Sequence, residues 1–277
     1  MARENPGIDP LHRWLLALAL LLASVHAGAF DHSHADWTAA LQARVTWNAA
    51  GTATTVDYAG WRSDRAALDR YLASLSALPR EEFDRWSVAQ RRAFLINAYN
   101  AWTVDLILRS NPDLQSIRDL GSLFSSPWKR RFFELFGDEE SLDGIEHGLL
   151  RGAPDYDDPR IHFAVNCASI CCPALRPEAY RADDLDAQLE DQARRFLRDG
   201  SRNRWDAKAG TLHLSRIFDW YAKDFDLPFR GGRSRAHFLA QYATELGVSA
   251  AETARLEAGE IEIEFLDYDW TLNRSKP

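Results

Sequence analysis

The stretch from Ser87 to Arg109 constrains the fold most, because its middle, Phe94-Leu-Ile-Asn97-Ala-Tyr-Asn100-Ala-Trp-Thr-Val-Asp-Leu-Ile-Leu108, is apolar nearly all round. A helix without a polar face has nothing to give to water, so it must run through the interior with other elements packed about it. Asn97 and Asn100 stand three apart on one face of this helix, and buried amides need partners inside the protein or at a cleft. The commoner partner is a neighbouring loop's backbone. A place on a pocket wall is the alternative, and it makes Asn97 a candidate for orienting or polarising a ligand.

Shorter signals surround this helix. Trp47 to Tyr58 reads as a hairpin turning at Ala49-Ala50-Gly51, followed by a helix from Asp64 to Leu78 that ends before Pro79. A strand is expected in Arg130 to Phe136, an amphipathic helix over Asp184 to Arg198, and a second hairpin over Arg204 to Leu214 with Ser215 as the N-cap of the next helix. Ile261 to Phe265 alternates as a half-exposed strand does, His32 and His34 read as a polar lead-in to a helix around Trp37 to Val45, and Asp219 and Asp224 read as capping or solvated acids. Few strands are separated by regular helices, which argues against a doubly wound parallel sheet. The expectation is a single α+β domain with a mostly antiparallel sheet packed on the central buried helix. The 277 residues, 46% hydrophobic with ten Trp and fourteen Phe, suffice for one such core.

Composition also bounds function. The net charge of −8 is spread over mixed-sign segments, and no basic stripe interleaved with aromatics appears, which argues against nucleic acid as a partner. Glycine-rich phosphate loops and paired Cys-x-x-Cys ribbons are absent, so no cofactor and no zinc module is called for. Arg13 ahead of the apolar run Trp14 to Val25, with Ala27-Gly28-Ala29 after it, reads as an export signal over residues 1–29, leaving a periplasmic or secreted chain of residues 30–277. No later segment is long and apolar enough to cross a membrane.

Chemistry concentrates in Asp158-Pro-Arg-Ile-His162-Phe-Ala-Val-Asn-Cys167-Ala-Ser-Ile-Cys171-Cys172-Pro173, which holds all three cysteines. Ile161 to Cys167 reads as a buried strand, on which His162 and Cys167 have opposite parity, so a direct pair between them requires a bulge or a break in the extended run. The better base is His147, in the second turn of a short helix opened by Asp143 and Glu146 as a capping-box variant. A helical turn over Ala168 to Cys172 would place Cys167 at its start, with backbone N–H groups to hold an oxyanion. In that plan Cys167 attacks, His147 activates, and His162 or Asn97 orients. It describes a thiol-dependent hydrolase or acyl transferase acting on an amide or thioester, analogous to papain-like and transglutaminase-like folds.

Other readings stand beside it. Export favours a disulfide, and three cysteines allow Cys167–Cys171, Cys167–Cys172 or Cys171–Cys172. Three sulfurs with His147 or His162 would make a tetrahedral metal site, though at an unusual spacing. A non-enzymatic module would use the same cleft for an envelope small molecule, peptide, glycan or partner protein.

Phe30-Asp-His-Ser-His34, Val56-Asp-Tyr58, Phe94 to Ala101, Ile145-Glu-His147, Asp158 to Phe163, Cys167-Ala-Ser169 and Ser215-Arg-Ile-Phe-Asp-Trp-Tyr221 together resemble domain-of-unknown-function family 547. The resemblance implies a mixed α and β domain without an established activity. It matches the family's Cys, Ala or Gly, and Ser to Cys167, Ala168 and Ser169, while Cys171 and Cys172 fall where other members often carry serine.

Overall fold

Ser87 opens the central helix with a full capping box: its hydroxyl accepts from the Gln90 N–H, and the Gln90 amide oxygen accepts from the Ser87 N–H. In this computed structural model, which describes residues 29–122 and 125–275, the helix runs Val88–Leu108 and every residue from Ala93 to Leu108 is buried. The export run read over residues 1–29 lies, apart from Ala29, outside the described residues.

Ahead of this helix come α1 (Ala35–Arg44), a hairpin of β1 (Val45–Trp47) and β2 (Thr54–Val56), then α2 (Tyr58–Ser63), α3 (Ala66–Ser76) and α4 (Arg80–Asp84), so the central helix is α5. After it come the hairpin of β3 (Phe133–Leu135) and β4 (Asp138–Glu140), a π-helix over Gly144–Leu150 and a 3-10 turn over Pro159–Phe163. Next are α6 (Leu185–Arg198), β5 (Arg204–Asp206), β6 (Thr211–Leu214), α7 (Ile217–Trp220), α8 (Arg235–Ala240), α9 (Ala243–Leu246), α10 (Ala250–Glu257) and β7 (Glu262–Phe265).

The fold is α+β, but no single antiparallel sheet flanks α5. Among the described residues the strands form three small sheets, β1–β2, β3–β4 and β5–β6–β7, and β7 joins β6 in parallel with Leu212 opposite Ile263. Each strand has only three or four residues, too few to bury a face alone, so helices supply the core. One aromatic cluster joins Phe163 to Phe196 at 5.0 Å, Phe218 to Phe225 at 4.5 Å and Phe225 to Phe238 at 5.0 Å, anchoring the 3-10 turn against α6, α7 and α8. The C-terminal tail stitches distant loops together: Thr271 bridges Ser116, Leu272 bridges Ser169 and Arg274 bridges Val56.

His34 leads into α1 as expected, but as a buried side chain. It is buried at the N-cap of α1 with Nδ1 2.8 Å from the Tyr71 hydroxyl, and burial lowers its pKa to about 4. The unfolded chain therefore takes up this proton first as pH falls. The resulting stability is present above about pH 6.5 and is lost toward pH 4, by up to about 3 kcal/mol. Urea unfolding across that window should show the loss, and His34→Asn, which tolerates the left-handed backbone, should flatten the slope. A wild-type profile already flat from pH 7 to 4 would contradict it.

Candidate functional site

The π-helix sets the first wall of a cleft of about 230 Å³. Ser141, rather than Asp143 or Glu146, caps this segment, its hydroxyl accepting from the Gly144 N–H at 3.0 Å. Glu146, free of the capping role expected for it, is buried and accepts the Tyr221 hydroxyl at 2.6 Å, and its charge also acts on the nearby Tyr99 phenol. Both phenols are pushed well above the usual tyrosine range, first by burial and then by the Glu146 charge, so they remain donors. His147 lines the same cleft. Its Nδ1 lies 2.5 Å from Arg151 Nη1, and because a guanidinium can only donate, Nδ1 accepts and Nε2 keeps the proton, 3.7 Å from Asp143 Oδ1.

The expected strand over Ile161 to Cys167 is instead the 3-10 turn followed by an extended passage. Asp158 caps it, accepting from the Arg160 N–H at 3.0 Å, and Pro159 takes the first helical position, where its missing N–H costs nothing. Strand parity therefore does not govern His162 and Cys167, and both line the cleft. His162 is 2% exposed, with its ring 3.9 Å from that of Tyr221 and its Nε2 2.8 Å from Asp224 Oδ2. Burial lowers the pKa of His162 despite that partner, so the neutral ring donates Nε2–H to the carboxylate.

Asp224 is not the solvated acid expected from its sequence context. Arg151 grips it through Nε at 2.6 Å and Nη2 at 2.9 Å, and the Tyr156 hydroxyl adds a bond of 3.1 Å. Burial alone would raise its pKa, but the bonds from His162 and Arg151 hold it well below the usual carboxylate range. The missed signal was spacing: Asp224 lies three residues beyond Tyr221, so one turn sets both beside His162.

Asn97 does not line the cleft. It donates to the Tyr180 carbonyl at 2.7 Å and accepts from the Tyr180 N–H at 2.9 Å, using its amide to pin a loop. Asn100 does the same for the Ala164 carbonyl and the Asn166 N–H, at 2.9 and 2.8 Å, and so holds the passage that leads to Cys167.

The second wall is a cystine. Cys167 bonds to Cys172, and Cys171 is the free thiol. Residues 168–172 form no helical turn. Ala168 sits at φ 61°, a left-handed conformation held by its N–H donating to Asn166 Oδ1 at 2.8 Å. The amides expected to cradle an oxyanion are occupied: Ile170 donates to Thr271 O, Cys171 to Asp269 O, Cys172 to Ser169 O, and Cys167 to Cys172 Sγ at 2.9 Å. The Tyr268 hydroxyl lies 3.4 Å from Cys167 Sγ and 3.3 Å from Cys172 Sγ. Cys171 Sγ accepts from the Asp269 N–H at 3.2 Å, and burial pushes its thiol pKa up. With two sulfurs in a covalent bond, the three-sulfur metal site lacks its ligands. Among the described residues, no three His, Cys, Asp or Glu side chains converge as a metal site.

The remaining lining is aromatic. Trp270 lies 5.6 Å from Trp128, 5.6 Å from Trp220 and 4.5 Å from Tyr268, and Trp220 stands 47% exposed at the rim. No described helix is long and apolar enough to cross a membrane. Neither a curated protein nor a solved structure matches the chain. Residues 83–197, which carry Glu146, His147, His162 and the cystine but not Tyr221, Asp224 or Tyr268, match the family described as Protein of unknown function, DUF547, and over that span the chain resembles it.

Proposed function

We propose that the cleft is a thiol–disulfide exchange site and that Cys167–Cys172 is its working bridge. The observation that carries this reading is the inequality of the two sulfurs. Both line the cleft, but Cys167 is half-buried, whereas Cys172 is only 3% exposed, beneath the Cys167 N–H and the Tyr268 hydroxyl. An incoming thiolate attacks Cys167 Sγ, the S–S bond breaks, and Cys172 leaves as a thiolate that these donors stabilise. A second thiol attacks the incoming sulfur of the mixed disulfide and releases Cys167. Two thiols are thereby oxidised to a disulfide while the bridge gains two electrons and two protons, and a further disulfide returns it to the oxidised form.

Loop length supports a working role over a structural one. A bridge between residues five apart removes only about 2 kcal/mol of chain entropy, little for a domain this large. The export read from residues 1–29 belongs to this proposal, since an oxidising compartment preserves the bridge.

Titration of a Cys171→Ala protein in dithiol redox buffers tests it. A midpoint above about −300 mV is expected, and one below it, in the range of inert structural bridges, overturns the reading. Cys172→Ser should trap a mixed disulfide on Cys167. A second reading, acyl transfer by reduced Cys167 with His147, keeps the support that both groups line one cleft. It requires hydrolysis of an amide or thioester by the reduced protein alone.

A further inference from the structure

We propose that the thiol exchanging with this bridge is a small aminothiol, one whose sulfur lies close to an ammonium group. This deepens the exchange reading and rests on it. The cleft carries two carboxylates, Glu146 and Asp143, and six aromatic rings, while no Lys or Arg stands among its described lining residues. Nearby guanidiniums stand behind the lining: Arg151 backs His147 Nδ1 and the Tyr221 ring but is bound bidentate to Asp224, and Arg118 lies over the Trp270 ring without lining the cleft. Arg202, which neighbours Tyr268, is paired with Asp199.

Four consequences follow for a ligand. Buried Glu146, fixed by the Tyr221 hydroxyl, is a preorganised acceptor for an ammonium N–H. Ring faces attract cations and give anions nothing. A sulfonate or carboxylate beside the attacking sulfur would meet Glu146 with no cation among the lining residues and with Arg151 already neutralised by Asp224, and the repulsion grows as water is displaced. A cleft of about 230 Å³ suits a molecule of a few heavy atoms rather than a folded partner.

The experiment compares cysteamine, 2-mercaptoethanol and 2-mercaptoethanesulfonate as reductants of the Cys171→Ala protein. Each rate is corrected to thiolate concentration and divided by the same thiol's rate toward a small uncharged disulfide. The corrected ratio of cysteamine to mercaptoethanesulfonate should be at least about ten-fold, with mercaptoethanol between, and Glu146→Gln should reduce it to within about two-fold of unity. Glu146→Gln still accepts the Tyr221 hydroxyl. Should it fail to fold, Asp143→Asn at the cleft margin should lower the ratio instead. A ratio near unity in the wild type, or one that survives these substitutions, overturns the aminothiol assignment while leaving the exchange reading intact. A bridge that no thiol reduces faster than the reference disulfide overturns the exchange reading itself.

Discussion

Asp224→Ala is expected to cost about 3–5 kcal/mol of folding stability, because it strands an arginine and an imidazole that share one buried carboxylate. Asp224 receives Arg151 through two bonds, His162 at 2.8 Å and Tyr156 at 3.1 Å, and is only 8% exposed. Removing one partner of such a group leaves the others desolvated and unpaired, a larger penalty than the pair's net worth. The urea midpoint should fall with little change in slope. Asp224→Asn, which keeps the volume and one acceptor, should cost less. The carboxylate is held below its ordinary range, so its contribution is present above about pH 4 and fades only as acid titrates the folded form. A change within about 0.5 kcal/mol for the alanine variant would mean that Arg151 and His162 find other partners.

Asn100→Ala should be nearly as costly, about 2–4 kcal/mol, since it leaves the Ala164 carbonyl and the Asn166 N–H buried without their partner. The same change loosens the passage into Cys167, so hydrogen exchange at Asn166 should quicken and thiol reduction of the bridge should accelerate. Loss of stability with no change in either rate would separate this clasp from the cystine turn.

The elements the sequence disclosed were those governed by local signals. Ser87 and Gln90 name their own cap, the run from Ala93 to Leu108 dictates burial, and Gly210 turns the β5–β6 hairpin at positive φ. The errors came where partners are remote. Ile161 to Cys167 has strand composition, yet Asp158-Pro159 is a helix start, and Phe163 is drawn into a cluster with Phe196 and Phe218. Asp143 and Glu146 have capping spacing, but Tyr221 claims Glu146 from 75 residues away. Of the candidate site residues, the cleft gathers His147, His162 and Cys167, while Asn97 took the backbone role that buried helical amides more often fill. Which two of three cysteines would join was not decidable from spacing, because the turn that sets their geometry is held by residues 269–273.

That dependence reaches into biosynthesis. The three thiols leave the ribosome about a hundred residues before the tail whose Asp269 carbonyl binds the Cys171 N–H and whose own N–H donates to the Cys171 sulfur. Before residues 269–273 dock, Cys171 lacks the two hydrogen bonds that set it apart from Cys172. The 269–273 segment therefore occupies the surplus sulfur once docked, which ties the choice of partner for Cys167 to a contact made about a hundred residues away.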